Sequence, residues 1–249
     1  MRVTVLGGTG RIGRRVAIRA AEMGHHVTVL ARHEPREALP KGIGMMSGSS
    51  SNRAELRTAL AGAHVVFDLT DAVKHPQRLV AGARAVTDTI ESLGQTTHVV
   101  VLSILNADTS NWSYYAAKEA QADVYTRASF PSSVLICTQF HSFLDMIFSR
   151  ARGLGVILAP SGTSFQSVDE DEVADELCTA LSPDPRAAPW VMRGPETLTG
   201  REAAERFKRT TRSRRMIVGF RLPGKIGAFF RTGFNLTSEG KRGYRLYRP

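Results

Sequence analysis

Long apolar runs are missing from this 249-residue chain. None approaches the ~18 residues of a membrane-crossing helix, so no transmembrane segment is expected. A cleavable leader is not expected either, because the apolar stretch ending at Leu6 is short and runs straight into Gly7-Gly8. Cysteine is scarce: Cys137 and Cys178 give neither a disulfide framework nor metal-ligand spacing. His25, His26 and His33 lie close together, but no acid or cysteine set completes a site, so no metal is expected. Two lone thiols suit a reducing compartment, and the expected location is cytoplasmic. With 42% hydrophobic and 22% charged residues the composition is globular, which excludes a disordered or collagen-like chain.

Acidic residues are almost absent from one segment. From Arg206 to Pro249 there are 13 Lys or Arg and a single acid, Glu239, while the rest holds 20 basic and 22 acidic residues. The net charge of +10 therefore sits in the C-terminal segment. This distribution argues against a nucleic-acid-binding surface spread over the whole fold, whereas a basic tail meeting an acidic partner stays open. The same tail mixes Phe220, Phe229 and Phe230 with its arginines, which also fits a solvated domain edge or a membrane-surface segment.

What is present is an alternation. Short Val/Ile/Leu runs at Val3–Leu6, His26–Ala31, Ile43–Met46, Val65–Leu69, His98–Leu102 and Ser133–Cys137 read as strands. Between them, helical spacing covers Arg11–Met23, Asn52–Ala61, Gln77–Leu93 and Tyr114–Ala128. Asn52 is a plausible cap, and Gly94 ends its helix. Continuous apolar strands alternating with helices mean a parallel sheet covered on both faces. The expected fold is α/β: a Rossmann-type doubly wound parallel sheet with a small C-terminal substrate-binding portion. The division expected is 1–138 for the nucleotide-binding core and 139–249 for the smaller, interwoven portion. In the latter, helices are read at Phe140–Arg150, Asp169–Leu181 and Gly200–Arg209, the last capped by Thr199. Strands are read at Val156–Ala159, Ser164–Val168 and Trp190–Arg193, and Pro183-Asp184-Pro185 breaks the chain.

Gly7-Gly8-Thr9-Gly10-Arg11-Ile12-Gly13 follows the first strand and opens the first helix. Pyrophosphate recognition needs bare backbone N–H groups and no Cβ in the way, and glycine at a helix N-terminus supplies both. An NAD site usually places an acid at the end of the second strand, to bond the ribose 2′-hydroxyl. Here that strand ends Ala31-Arg32-His33. Arg32 suits an adenosine 2′-phosphate, with Arg11 as a second clamp, so NADP(H) is the expected cofactor.

These residues, with Ser113-Tyr114-Tyr115-Ala116-Ala117-Lys118-Glu119-Ala120-Gln121, Thr138-Gln139-Phe140-His141 and Phe165-Gln166-Ser167-Val168-Asp169, resemble the atypical, NmrA-like short-chain dehydrogenase/reductases from roughly residue 2 to 230. The resemblance implies NADP(H) bound by Gly7, Gly8, Thr9, Gly10, Arg11, Ile12, Gly13, Arg32, Leu69, Thr70, Lys118, Gln139 and Phe140. It often implies hydride transfer to a small, mostly apolar carbonyl, enone or quinone. Some relatives are catalytically silent NADP(H) sensors that act through a protein partner, which is the alternative reading. The chain departs from the family at Gly48-Ser49-Ser50, where an acid is common, and at Asp68, where Asn is common. Asp68 is expected to turn away from the phosphates or be paired.

Tyr114 and Lys118 share one helix face at i,i+4 spacing. Lys118 can hold the nicotinamide ribose and lower the tyrosine's pKa, so that Tyr114 donates the proton; otherwise the pair is packing plus a surface lysine. Ser103, at the end of the fifth strand, is the candidate for holding a substrate oxygen. His141 reads either as an acid/base group or as a satisfied packing residue. Phe140, Phe143, Met146 and Phe148 read as pocket wall or core. Homo-oligomerisation is left open.

Overall fold

The computed structural model describes residues 1–35, 37–182 and 188–249, so Pro183-Asp184-Pro185 lie outside the described residues. The chain divides into two compact units, each built from separated stretches. Unit 1 takes residues 1–103, 113–135 and 173–190; unit 2 takes 104–112, 136–172 and 191–249.

Unit 1 contains β1 (Arg2–Leu6), α1 (Arg11–Glu22), β2 (His26–Ala31), β3 (Gly44–Ser47), α2 (Arg53–Leu60), β4 (Val65–Asp68), α3 (Gln77–Leu93), β5 (His98–Ile104) up to Ser103, α4 (Ser113–Thr126) and most of β6 (Ser132–Cys137). The strands lie in the order β3-β2-β1-β4-β5-β6. Pairings β1–β2, β1–β4, β2–β3 and β4–β5 are parallel. This is the doubly wound arrangement expected from the sequence. Its strand order reverses between β1 and β4, where the open crevice of such sheets lies. Val5, Val29, Phe67 and Val100 are register neighbours buried on one face of four adjacent strands, and Leu6, Leu30 and Val101 are buried on the other, so the sheet is apolar on both faces. Asn52 caps α2 by accepting from the N–H groups of Ala54 and Glu55, and Gly94 ends α3 at φ 59°.

Unit 2 holds α5 (His141–Ser149), β7 (Val156–Pro160), β8 (Ser164–Phe165), the start of α6 (Glu170–Cys178), most of β9 (Trp190–Arg193), β10 (Leu198–Thr199), α7 (Gly200–Thr210), β11 (Met216–Phe220), α8 (Gly224–Arg231) and β12 (Lys241–Arg242). β7 pairs β11 in parallel, β9 pairs β12 in parallel, and β8 pairs β10 antiparallel. Thr199 and Glu202 form a reciprocal capping box on α7. The core is aromatic: Phe143, Phe165 and Phe230 stack with centroids 5.1–6.3 Å apart, and Phe148 packs on Phe207 at 5.4 Å. Met146, grouped with them on sequence, is instead 54% exposed.

The basic tail is structural. Phe229, Phe230 and Tyr247 are buried in unit 2, and the Tyr247 hydroxyl donates to Asp145 at 2.7 Å. Arg245 pairs with Asp169 and Asp171, while the N–H groups of Tyr244 and Arg245 donate to Glu172. β11, α8 and β12 were not expected from the sequence, because glycines and single prolines in the tail mask a Met-Ile-Val run and a short amphipathic turn.

Candidate cofactor site

At the reversal of strand order in unit 1 lies a cleft of about 680 Å³. One wall is the loop between β1 and α1. Gly7 sits at φ +73°, and a Cβ there would lie 2.8 Å from the Leu69 carbonyl oxygen. A Cβ on Gly13 would come within 2.3 Å of the Gly7 oxygen, so glycine alone lets α1 start this close to the strand end. No side chain caps α1 and no acid occupies its first turn. Its leading N–H groups are therefore left for a ligand, and the residues present fit a pyrophosphate.

The far end of the cleft is lined by Arg32 and His33 beyond β2, Ser49, Ser50 and Ser51 beyond β3, and Arg78 on α3. Glu55 turns its carboxylate onto the Ser49 N–H at 2.8 Å, so the loop's acid neighbour is spent on holding the loop. Small residues on α3 (Ala81, Gly82, Ala85) leave the cleft wide, and Gly82 lets Ser50 approach closely. Among the described residues of the lining Asp71 is the one acid, against Arg32 and Arg78, so the cleft favours a phosphorylated ligand. The serines, Arg78 and Gly82 were not anticipated; a chain pattern does not show which helix face returns to a distant loop.

The expected residues divide. Gly7, Thr9, Gly10, Arg32, Leu69 and Thr70 line the cleft. Gly8 packs against Val29 and Ile12 is buried, so both shape the loop from behind. Arg11 is exposed at the first position of α1 and is not part of the lining. Ser103, Tyr114 and Lys118 belong to unit 1 but do not line this cleft; Gln139 and Phe140 belong to unit 2.

Lys118 anchors a buried network. Its Nζ donates to Gln121 Oε1 at 2.7 Å. Gln121 Nε2 donates to Asp68 Oδ2 at 2.8 Å, and the Tyr125 hydroxyl donates to the same oxygen at 2.6 Å. Asp68 Oδ1 accepts from the Thr70 N–H and hydroxyl at 3.1 and 2.6 Å. Asp68 is thus paired, as its position required. Residues 114, 118, 121 and 125 fall on one face of α4, which lets one helix supply the donors that reach Asp68 at the end of β4. Lys118 is 5% exposed, and burial lowers its pKa against the opposing pull of Asp68 and Asp71. Gln121 takes one of its three donors.

Tyr114 and Lys118 each have other partners in this structure. Burial, together with the charge of Asp71 and a hydrogen bond to it, raises the Tyr114 pKa far above the ordinary tyrosine value. Lys118 is turned to Gln121 instead. Ser103 is 2% exposed, and its Oγ has no hydrogen-bond partner among the described residues.

In unit 2, Gln139, Phe140 and His141 are stitched to Val168: Val168 N–H donates to the Gln139 carbonyl and His141 N–H to the Val168 carbonyl. His141 bonds Ser167 Oγ at 2.9 Å and the Arg245 carbonyl at 3.2 Å, with Tyr247 edge-on at 5.5 Å. Both ring nitrogens are used in packing. Gln139 Oε1 accepts from Asn235 at 3.3 Å, while Gln139 Nε2 and Asn235 Oδ1 are buried without partners.

Residues 7–181 match the model of the NAD(P)H-binding family, which covers well over half of the chain. The chain belongs to this NAD(P)H-binding family. The match bears out the resemblance to NmrA-like short-chain dehydrogenase/reductases, with the glycine loop and cleft inside the matched span. A curated relative from Streptomyces griseus, (4-alkanoyl-5-oxo-2,5-dihydrofuran-3-yl)methyl phosphate reductase, is 27% identical over 216 residues, 83% of this chain and 73% of that protein. Among solved structures, WbmG of Bordetella bronchiseptica in complex with NAD aligns at TM-score 0.76 and 15% identity, over 99% of this chain and 90% of its own. A Thermus thermophilus UDP-glucose 4-epimerase complexed with NAD aligns at 0.74 and 16%, over 98% and 89%. Those structural likenesses show the fold. Family and curated relative together support an NAD(P)H-dependent oxidoreductase.

Proposed function

We propose that this protein is an NADPH-dependent reductase of a small, mostly apolar enone. The observation that carries the cofactor half is the cleft: a glycine loop and an uncapped helix N-terminus at one end, Arg32 and Arg78 with three serines at the other, and no acid at the end of β2. An acid there would bond a free ribose 2′-hydroxyl, while arginine matches a 2′-phosphate through its planar fork. The Gly7–Gly13 loop would hold the pyrophosphate, and Lys118, with donors to spare, the nicotinamide ribose. When bound, the nicotinamide supplies a hydride.

The substrate half follows from the Streptomyces relative and from Tyr114. The compound in that relative's name has a ring C=C conjugated to two carbonyl groups. Adding a hydride to its far carbon leaves a negative charge spread over both carbonyl oxygens, and solvent can protonate such a stabilised anion without a strong general acid. A simple ketone has no such relief and needs a proton donor at its oxygen. Tyr114, tied to Asp71 and with its ionisation opposed, is a poor donor. The chain therefore suits conjugate reduction better than ketone reduction. In this reading Ser103 holds the developing oxyanion through its unpartnered hydroxyl, and Lys118 positions the ribose. Electrons balance as enone plus NADPH plus a solvent proton giving the saturated ketone and NADP⁺.

The same Tyr114 observation favours a second reading, a silent NADP(H) sensor. Incubation with NADPH carrying deuterium at C4, the named butenolide phosphate and a panel of acyclic enones separates the two. Deuterium at the carbon β to the carbonyl establishes the reductase. NADPH binding without deuterium transfer to any of them overturns it in favour of the sensor.

A further inference from the structure

The ribbon of β7 and β11 in unit 2 has one buried and one open face. Ile157 and Ala159 are buried on the inner face, where α7 packs. The register pairs Met216 with Val156 and Val218 with Leu158, so these four share the outer face. Met216 is 68% exposed and Val218 41%. Leu154, just ahead of β7, is 79% exposed, and Met146 on the preceding α5 is 54% exposed. Solvent-facing Leu and Met at this density are not needed for the fold.

Charge surrounds them. No acid occurs in residues 146–168 or 206–238. Arg150, Arg152, Arg209, Arg212, Arg214 and Arg221 are exposed on these segments, and no acid pairs with them among the described residues. The edge is rigid where it matters. Arg215 donates to the carbonyls of Phe148 and Val156 and stacks over Phe207, fixing the Arg212–Met216 strand entry beside the Arg150–Leu154 turn.

Protruding aliphatic side chains flanked along the chain by arginines without an acidic partner among the described residues match one occupant. A second copy meeting face to face would oppose like charges. A single-stranded nucleic acid calls for exposed rings to stack on; β7 and β11 carry no exposed aromatic, and the exposed Phe234 lies in the turn after α8. We infer that this face docks on an anionic lipid surface, with Leu154 and Met216 entering the headgroup layer and Arg150, Arg152, Arg212 and Arg214 on the lipid phosphates. The inference is independent of the reductase reading.

Flotation with vesicles tests it. The protein should float with phosphatidylcholine vesicles containing about one-third phosphatidylglycerol, not with phosphatidylcholine alone, and salt of ~0.5 M should release it. Arg212→Gln with Arg214→Gln should weaken binding by roughly 25-fold, about fivefold for each charge. Leu154→Ser with Met216→Ser should weaken it at least ~10-fold through lost apolar insertion. Both pairs are surface changes and should leave melting temperature and NADPH affinity in place. Failure of the unmutated protein to float with anionic vesicles overturns the inference. So does flotation untouched by the Leu154/Met216 pair, which would reduce the effect to charge adsorption. Displacement from vesicles by an equal mass of tRNA or polyglutamate would also overturn it, assigning the face to a macromolecule.

Discussion

The Tyr125 hydroxyl and the Gln121 amide both donate to one oxygen of Asp68, at 2.6 and 2.8 Å. The two donors, from one face of α4, secure a carboxylate that would otherwise stand bare at the end of β4 beside a phosphate-binding loop. Burial and the nearby Asp68 charge raise the Tyr125 pKa, which keeps it a neutral donor at any ordinary pH. Tyr125→Phe should cost about 1.5–3 kcal/mol, the worth of a hydrogen bond to a charged group. Urea unfolding should show this as a lower midpoint at unchanged slope.

Cofactor choice should respond to the cleft's cations. Arg32→Ala should lose ~1.5–3 kcal/mol of NADPH binding and little of NADH binding, by calorimetry. Arg78→Ala should also favour NADH relative to NADPH. Equal losses for the two cofactors in both variants would remove the 2′-phosphate assignment.

The glycine loop should tolerate no side chain at its tightest point. In Gly13→Ala the new methyl would sit 2.3 Å from a backbone oxygen that cannot move without opening the loop. Nucleotide binding should fall by more than ~100-fold, with a loss of stability of the size typical for backbone strain, about 1–3 kcal/mol.

On α4 the two expected catalytic residues should part company. Lys118→Ala should weaken cofactor binding and remove most turnover. Tyr114→Phe should change turnover less than ~10-fold with an enone, since the proton comes from solvent. A loss of ~10²–10⁴-fold would instead restore Tyr114 as the general acid.

Acid should loosen unit 1 through His98. This ring is buried, bonded through Nε2 to Ser133 Oγ at 2.7 Å, and burial lowers its pKa below the usual histidine value. The unfolded chain binds the proton more readily, so stability is full above the unfolded pKa of ~6.5 and falls as pH drops below it. Melting temperature should decline from pH 7.5 to pH 5, and His98→Asn should flatten the part of that decline due to this ring.

The nucleotide loop was legible because its requirement is local: glycines at fixed offsets between a strand and a helix. The doubly wound order was legible for the same reason, as period and turn signals repeat along residues 1–137. Ser49–Ser51 and Arg78 were not, since the sheet brings together the ends of elements far apart in sequence. Gln121 and Tyr125 carried a usable signal, lying at i+3 and i+7 from Lys118 on a face that also had to neutralise Asp68. The tail hid its strand and helix behind composition: its arginines suggested a solvated edge, whereas Phe230 and Tyr247 are core residues.

The interleaving of the two units has a kinetic meaning. In unit 1, Arg19 on α1 pairs with Asp175 at 2.7 Å, and Cys178, its thiol pushed up to about 12 by burial and Asp175, packs against the Val16 carbonyl. The helix that pairs with Arg19 thus emerges from the ribosome some 150 residues after α1. Until then Arg19 and the Val16 carbonyl lack these partners. A nascent chain paused before residue 173 would hold α1 on its strands without these contacts, a weak point during synthesis.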